Sequence, residues 1–482
     1  MNKKDFPSVV LLLLDTASAN RFSLYGHSRA TSPCLERLAP AAAVYRHCFT
    51  TAPWTMPSHV SLFTGLYPHE HGSNTVFSGL PGDLYTLPEV LGEMGYHTVG
   101  ISSNLLISRA LGFHRGFAEF YEMGTFFQDP RYLQTWARYR KAKKDLKGDW
   151  DKIKYLWQYM KESGDFAYPL KKVIDRYYKK YFANIKASTA FMTRRSMRLG
   201  KRLMQKCQTA GEPFFLFINL METHGTFNAP YPFNRKFQKV DRSVWKKFMS
   251  LTSGEHLYIE DPKEREERGD FWSLCADQEI LFVDSVIGDF CDFLRKQDLL
   301  DRTLLIITSD HGEGFGEHGL FAHAFGLYNE LVHIPLVIKY PRDYGIKGEF
   351  TGLTQLNDIF ATLCQVADTP LPVPFSSHSL LDGDRSFALT GLLDNQRGLE
   401  YLRRRFGEFK VWSCMLPGLA WVGNDLWKLI RWEDGTEELY DLNRDLPEQN
   451  NLIEDPIYSD KAKALRSQMA NFLDSGAVPE IR

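Results

Sequence analysis

The chain has 482 residues, a formal net charge of -1 and a hydrophobic content of 44%. This balance describes a globular protein with a sizeable core and excludes an overall electrostatic attraction to nucleic acid. The seven cysteines include no CxxC pair, which favours reduced thiols over a disulfide framework. The apolar run at 9–14 is too short to span a bilayer, and no cleavage-like pattern of small residues follows it. We therefore expect a cytoplasmic protein.

The first predicted element is a strand at Ser8–Leu14, followed directly by Asp15. A run of seven mostly apolar residues that ends in an acid is typical of a buried strand in a parallel sheet. Ligands of open α/β sheets bind outside the carboxyl ends of the strands, so Asp15 is a candidate site residue. The simpler alternative is an aspartate that caps the next turn.

The segment 52–65, APWTMPSHVSLFTG, predicts a turn that presents the hydroxyl of Thr55 at the start of a helix. The free N–H groups and the dipole of a helix attract anions at that position. A nucleophile beside a bound oxyanion would suit phosphoryl or sulfuryl transfer. An ordinary capped helix is the alternative.

Residues 132–206 are strongly basic and predict a helical insertion. Arginine and lysine cluster at 138–144 and 176–181, interleaved with Trp136, Trp150 and Trp157. One interpretation is a subdomain that recruits a polyanionic or membrane-surface substrate. The other is a solvated insertion whose aromatic side chains pack inward or form a homo-oligomer interface.

The segment 303–319 predicts a strand at Leu304–Thr308 that runs into Asp310, His311 and a glycine-rich loop. Adjacent Asp and His residues at a strand end offer one carboxylate oxygen and one imidazole nitrogen, a pair that suits Zn²⁺ or Mn²⁺. The glycines allow the backbone to approach a ligand closely.

Strand-like and helix-like segments alternate over most of the chain, which predicts an α/β fold with a largely parallel sheet and helices on both faces. After residue 348 the pattern changes, and a hairpin with an Asp-Gly turn is expected within 418–442. The other predicted strands are His97–Ser102, Phe214–Asn219 and Pro335–Lys339, and the predicted helices include Leu84–Met94 and Gln278–Lys296.

Several of these stretches together resemble the sulfatase-like branch of the alkaline phosphatase superfamily. The resemblance covers most of the chain in the expected order: the first strand with Asp15, TSPCLERL at 31–38, the Thr55 turn through GLYPHEHG at 65–72, FFLFINLMETH at 214–224, DHGE at 310–313 and ELYDL at 438–442. It implies a large, mostly parallel sheet sandwiched by helices. The implied domains are a catalytic domain at 1–348, which contains the 132–206 insertion, and a C-terminal subdomain at 349–482 with a small antiparallel sheet.

The nucleophile position departs from the sulfatases of that family. Those enzymes carry Cys or Ser in a Cys/Ser-x-Pro-x-Arg pattern and oxidise it to formylglycine, whereas this chain has Thr55 and replaces the arginine with His59. A secondary alcohol cannot become that aldehyde hydrate, so we expect Thr55 to act as a plain alkoxide. Because a sulfo-threonine lacks the hydrate's elimination route, the sequence favours phosphorus esters over sulfate esters.

The resemblance implies a metal site formed by Asp15, Thr55, Asp310 and His311. Zn²⁺ or Mn²⁺ is the expected ion, with Mg²⁺ or Ca²⁺ as alternatives. Sulfatases often have two adjacent acids at the first strand end, whereas a threonine follows Asp15 here. We therefore expect one metal site, and a second stays open.

Two histidines are expected to contact the substrate. His224 falls on the family's histidine after a buried strand, and His323 lies where relatives keep a histidine or lysine near the leaving-group oxygen. Either imidazole could act as a general acid or stabilise charge, and the alternative for each is a structural histidine. His59 is a further catalytic candidate, and Asn104 is a further substrate-binding candidate.

The leading hypothesis is a metal-dependent hydrolase or transferase of phosphodiesters, phosphomonoesters or phosphonate esters that forms a phospho-threonine at Thr55. A sulfatase and an inactive metal-binding interaction protein are the alternatives. The expected partner is a small-molecule, lipid or glycan ester, and no specific nucleic-acid binding is expected.

Overall fold

The structure is a computed structural model that describes residues 6–76, 78–123, 187–225, 227–249, 259, 261–323, 325–370 and 376–474. Most of the basic segment at 132–206 lies outside the described residues, together with its three tryptophans. The last part of that segment belongs to the helix Ala187–Ala210. Substrate recruitment, membrane contact and oligomerisation by this segment therefore stay predictions.

A large mixed sheet forms the centre of the described fold. In chain order the strands are β1 (Ser8–Leu14), β2 (Ala43–Phe49), β3 (His97–Ser102), β4 (Glu119–Glu122), β5 (Phe214–Leu220), β6 (Thr303–Ser309), β7 (Gly314–Phe315), β8 (Phe321–Ala322), β9 (His333–Lys339), β10 (Gly348–Gln355), β11 (Phe387–Leu392), β12 (Gly418–Gly423), β13 (Trp427–Trp432) and β14 (Glu437–Asp441). The large sheet has eight of these strands in the spatial order β10-β2-β9-β6-β1-β5-β3-β4. Within this large sheet, β9 alone runs antiparallel to its neighbours among the described pairings. The predicted α/β class is therefore confirmed.

Hydrophobic cores cover both faces of this sheet. Alternate residues of β1 point to opposite sides: Val9, Leu11 and Leu13 join one core, and Val10, Leu12 and Leu14 join the other. A strand that is covered on both faces is apolar throughout, which is why β1 is so clear in the sequence. The described helices are Pro33–Leu38, Thr55–Thr64, Pro68–His71, Leu87–Glu93, Ala187–Ala210, Arg242–Met249, Pro262–Lys296, Asn329–Val332, Asp358–Val366, Gln396–Phe406 and Ser459–Phe472. Among the described residues, no helix is long and apolar enough to cross a membrane.

A smaller antiparallel sheet follows, in the order β11-β12-β13-β14. The hairpin expected at 418–442 corresponds to its last three strands, and Gly435 adopts a φ of 84° in the Asp-Gly turn. The domain boundary expected at residue 348 stays a prediction, and two elements after it contact the large sheet. β10 pairs with β2 at the edge of the large sheet, and the helix Asp358–Val366 packs in the core of that sheet. The first half of β10 is largely exposed, so its polar sequence does not indicate membership of a buried sheet.

Candidate functional site

Four neighbouring parallel strands carry polar residues at their carboxyl ends. Asp310 and His311 follow β6, and Asp15 follows β1. The loops after β5 and β3 carry His224 and Asn104. Because the carboxyl ends of parallel strands meet at one edge of the sheet, residues far apart in sequence come together there.

Asp15, Asp310 and His311 form a buried cluster whose potential ligand atoms lie within 4.8 Å of one another. Asp15 Oδ1 and Asp310 Oδ2 have no hydrogen-bond partner among the described residues. Burial and the charge of Asp15 raise the pKa of Asp310 well above its usual value, because two carboxylates in an apolar site cannot both ionise without a cation. Two orphaned carboxylate oxygens and one imidazole nitrogen fit a divalent cation such as Zn²⁺ or Mn²⁺.

Thr55 is the first residue of the helix Thr55–Thr64, as the sequence predicts. Its Oγ1 lies 3.2 Å from Nε2 of His311, so the hydroxyl stands beside the buried cluster. The preceding Trp54 is extended, and no side chain caps the helix. The first backbone N–H groups of the helix are therefore available to an anion.

His311 carries its proton on Nδ1. That nitrogen lies 2.8 Å from the carbonyl oxygen of Gly312, which can only accept a hydrogen bond. The other ring nitrogen, Nε2, therefore keeps its lone pair and faces Thr55. Burial and the nearby His323 lower the pKa of His311 well below its usual value, which keeps the imidazole neutral, as a metal ligand must be. A Cβ at position 312 would lie 2.0 Å from the carbonyl oxygen of Glu330, so glycine is required there.

Thr16 ties together the loops that carry the cluster. Its φ of 60° is rare for a β-branched residue and marks local strain. In this conformation its N–H donates to Asp310 Oδ1 over 3.1 Å, and its hydroxyl donates to the carbonyl oxygen of Thr223 over 2.7 Å. The hydroxyl of Thr223 donates in turn to the carbonyl oxygen of Asp15. The side chain of Thr16 therefore supports the site and adds no ligand to it.

Glu313 and His323 are brought together by the short β7–β8 ladder. Gly314 lies opposite Ala322 in that ladder, so Glu313 and His323 form the next pair along it. His323 Nδ1 lies 2.7 Å from Glu313 Oε1. Burial lowers the pKa of His323, but the nearby Glu313 carboxylate raises it by more, so the pKa of His323 lies above its usual value. The ring centroid of His323 is 4.7 Å from that of His311, so this imidazole lies beside the cluster.

His224 completes a group of three imidazoles. Its ring centroid lies 5.0 Å from that of His323. Its Nδ1 is 2.7 Å from the carbonyl oxygen of Gly225, which can only accept, so Nδ1 carries a proton and Nε2 is the ring nitrogen left for other contacts. The structure thus brings His224 and His323, both expected to contact the substrate, to the edge of the cluster.

His59 and Asn104 contact the nucleophile and a ligand candidate, respectively. His59 Nδ1 lies 2.9 Å from the carbonyl oxygen of Thr55, and Asn219 Nδ2 lies 3.5 Å from His59 Nε2. Burial lowers the pKa of His59 to about 4, so an uncharged side chain replaces the family's arginine. Asn104 Nδ2 donates to Asp15 Oδ2 over 2.5 Å. Catalysis by His59 and substrate binding by Asn104 stay predictions.

The sequence interpretation missed three residues that organise the site: Glu313, Thr16 and Thr223. Glu313 had a signal, because it belongs to the DHGE stretch and precedes a glycine-rich turn that returns to His323. Thr16 acts through a left-handed backbone, and the hydroxyls of both threonines donate to main-chain carbonyl groups. The residue pattern gives no signal for such contacts.

Two family models match the chain. The model described as Sulfatase matches residues 7–369. The model described as N-sulphoglucosamine sulphohydrolase, C-terminal, matches residues 316–475. The two matches overlap, so together they extend over both the large sheet and the small antiparallel sheet.

Individual proteins are similar over nearly the whole length. The uncharacterized sulfatase YidJ of Escherichia coli strain K12 is 24% identical over 483 residues, covering 97% of this chain and 87% of that protein. Arylsulfatase K of Canis lupus familiaris is 22% identical over 477 residues, covering 92% of this chain and 79% of that protein. The structure of the phosphonate monoester hydrolase of Agrobacterium radiobacter has a TM-score of 0.63 and 19% identity, covering 96% of this chain and 95% of that chain. This last likeness shows a shared fold.

Proposed function

The chain belongs to the sulfatase family, and from this premise we propose a metal-dependent hydrolase in which Thr55 attacks the tetrahedral sulfur or phosphorus of an ester. One observation carries the proposal: the Thr55 hydroxyl lies 3.2 Å from His311 Nε2, beside two carboxylates with orphaned oxygens. A divalent cation held by Asp15, Asp310, His311 and Thr55 would lower the pKa of the Thr55 hydroxyl and neutralise charge on the transferred group.

In the first step of this proposal, Thr55 has already lost its hydroxyl proton to solvent, and its alkoxide Oγ1 forms a bond to sulfur or phosphorus while the ester oxygen leaves on the opposite side. The leaving oxygen takes a proton from His323, which Glu313 holds through Nδ1. We assign His224 to a hydrogen bond with the transferred group, because its ring lies 5.0 Å from His323. The N–H groups at the start of the Thr55 helix stabilise the remaining oxygens.

In the second step, water attacks the sulfo-threonine or phospho-threonine in line with Thr55 Oγ1. The bond to Oγ1 breaks and Thr55 returns as an alkoxide. His323, neutral after the first step, accepts the proton of the attacking water, so the cycle closes with the alcohol and the oxyacid as products. An acceptor alcohol in place of water would make the same centre a transferase.

Sulfate esters and phosphorus esters are two candidate substrate classes. The relatives support sulfate esters at least as well as phosphorus esters, because both family models and the two similar proteins are sulfatases by description. Residue 55 favours phosphorus, since threonine cannot form the aldehyde hydrate through which family sulfatases release sulfate. The phosphonate monoester hydrolase shows that a protein of the same fold can act on a phosphorus ester.

A matched substrate panel distinguishes the two classes. One aryl leaving group is presented as the sulfate monoester, the phosphate monoester, the phosphodiester and the phosphonate monoester. Each is assayed with chelator-treated protein reloaded with Zn²⁺, Mn²⁺, Mg²⁺ or Ca²⁺, and Thr55→Ala is the control. We expect the parental protein to hydrolyse at least one of these esters and Thr55→Ala to hydrolyse none. Equal turnover by both proteins would contradict Thr55 as nucleophile.

A further inference from the structure

The side-chain amide of Asn104 is fixed at both ends. Asn104 follows β3 and is 8% exposed. Its Oδ1 accepts a hydrogen bond from the N–H of Leu106 over 2.8 Å. Because an N–H can only donate, Oδ1 must face Leu106, and the NH₂ group must face Asp15 Oδ2, which lies 2.5 Å away.

The two carboxylates of the cluster are held in the same way. Asp310 Oδ1 accepts the N–H groups of Thr16 and His311 over 3.1 and 2.9 Å. Asp15 Oδ2 accepts the amide of Asn104. In each case one carboxylate oxygen accepts hydrogen bonds from the protein, and the other, Asp15 Oδ1 or Asp310 Oδ2, has no hydrogen-bond partner among the described residues. His311 Nε2 lies 3.3 Å and His59 Nδ1 lies 3.4 Å from Asp310 Oδ2.

We propose that Asn104 is a positioning residue for the metal centre, which turns Asp15 so that Oδ1 alone is offered to the cation. This inference rests on the metal site of the proposed function. A carboxylate with one oxygen held by a neighbour binds a cation through the other oxygen, which suits the low coordination number of Zn²⁺. Neighbours that orient metal ligands typically contribute about 10–100-fold to metal affinity.

The backbone at Asn104 has contacts of its own, separate from those of the side-chain amide. The backbone of the loop is held separately, because Ser102 Oγ accepts the N–H of Asn104 over 3.2 Å and donates to its carbonyl oxygen over 3.1 Å. Removing the amide leaves the two Ser102 contacts in place and releases the carboxylate of Asp15 and the N–H of Leu106. The larger effect is expected on metal binding, with a small loss of apo-protein stability from the Leu106 contact.

The test measures the dissociation constants of Zn²⁺ and Mn²⁺ for the full chain by titration of chelator-treated protein, without any substrate. Asn104→Leu keeps the volume and removes the hydrogen bond, and Asn104→Ala serves if the leucine variant does not fold. Ser103→Ala in the same loop is the matched control, and Asp15→Ala removes the ligand itself. The melting temperature of each apo-protein is recorded alongside.

We expect a Kd about 10–100-fold higher for the Asn104 variants, an unchanged Kd for Ser103→Ala and only a small fall in the apo-protein melting temperature of the Asn104 variants, from the lost Leu106 contact. Parental affinity in both Asn104 variants would overturn the inference, provided that Asp15→Ala has lost the metal. Parental affinity in Asp15→Ala as well would instead overturn the metal site of the proposed function. A loss of affinity that comes with a large fall in the apo-protein melting temperature would overturn the inference and assign Asn104 a purely structural role.

Discussion

Glu313 Oε1 and His323 Nδ1 lie 2.7 Å apart across the open end of the β7–β8 ladder. Glu313 is buried, and the ring of His323 also approaches those of His311 and His224. One carboxylate thus fixes the tautomer and orientation of the imidazole that stands beside the metal-ligand cluster. Because Nδ1 is committed to Glu313, Nε2 is the atom that His323 can offer to a substrate.

Replacing Glu313 tests this pair. Glu313→Leu removes the acceptor for His323 Nδ1, and we expect kcat to fall by about 10²-fold or more, the usual contribution of a general acid. Glu313→Gln keeps an acceptor at the same place and loses the charge, so a smaller loss is expected. Steady-state kinetics on the best ester of the panel measure both variants, with bound metal quantified in each. Equal losses of metal and activity would show that Glu313 supports the cluster instead.

Thr55→Ala tests the nucleophile. Losing a covalent nucleophile typically lowers turnover by about 10³-fold or more, whereas Thr55→Ser keeps a hydroxyl at the start of the helix and should retain part of the activity. Mass spectrometry of parental enzyme quenched during turnover should locate a sulfate or phosphate group on the peptide that contains Thr55. A modified peptide elsewhere in the chain would contradict the assignment.

Asp310→Ala tests the metal ligands. The variant loses one of the two orphaned carboxylate oxygens, so elemental analysis should find little bound metal, and activity should disappear with it. Asp292→Asn is the matched control, because Asp292 is an exposed aspartate on the helix Pro262–Lys296. Full metal occupancy in Asp310→Ala would remove Asp310 from the site.

Much of the large sheet follows from the sequence, because strands covered on both faces are apolar without interruption. The bounds of β1 and β3 are those expected, and Thr55 begins its helix as predicted. β10 was not predicted for the opposite reason: it is an edge strand whose first half is largely exposed, so its sequence has no apolar run.

Within the site, the candidates that lie directly at strand ends could be named from the sequence, because strand ends converge in a parallel sheet. The residues that hold these candidates in place could not be named from the sequence. Thr16 acts through a positive φ and a main-chain N–H, and the partner of Glu313 is decided by the register of a ladder of two residues per strand. Such contacts depend on tertiary geometry and not on local residue pattern.

A last prediction concerns stability at the junction of the large sheet with the C-terminal part. His318 stacks on Tyr328 with 3.7 Å between ring centroids, and its Nδ1 lies 2.7 Å from Glu330 Oε1. Its Nε2 lies 3.0 Å from the carbonyl oxygen of Glu448. Both ring nitrogens therefore face acceptors, which is the arrangement of a charged imidazolium. Burial opposes the charge, but Glu330 outweighs burial and raises the pKa of His318 to about 9.

Because the folded pKa of His318 lies above the ordinary value of 6.5, its stabilisation is complete below pH 6.5 and disappears as the pH rises through about 9. The rise of the pKa from 6.5 to about 9 corresponds to a contribution on the order of 3 kcal/mol to the free energy of unfolding. Urea unfolding at pH 6 and at pH 9.5 measures it, with His318→Gln as the control, because glutamine keeps a hydrogen-bond donor toward Glu330 and does not titrate. The parental protein should lose more stability between the two pH values than the variant does. Equal losses in both proteins would mean that His318 is not charged in the folded state.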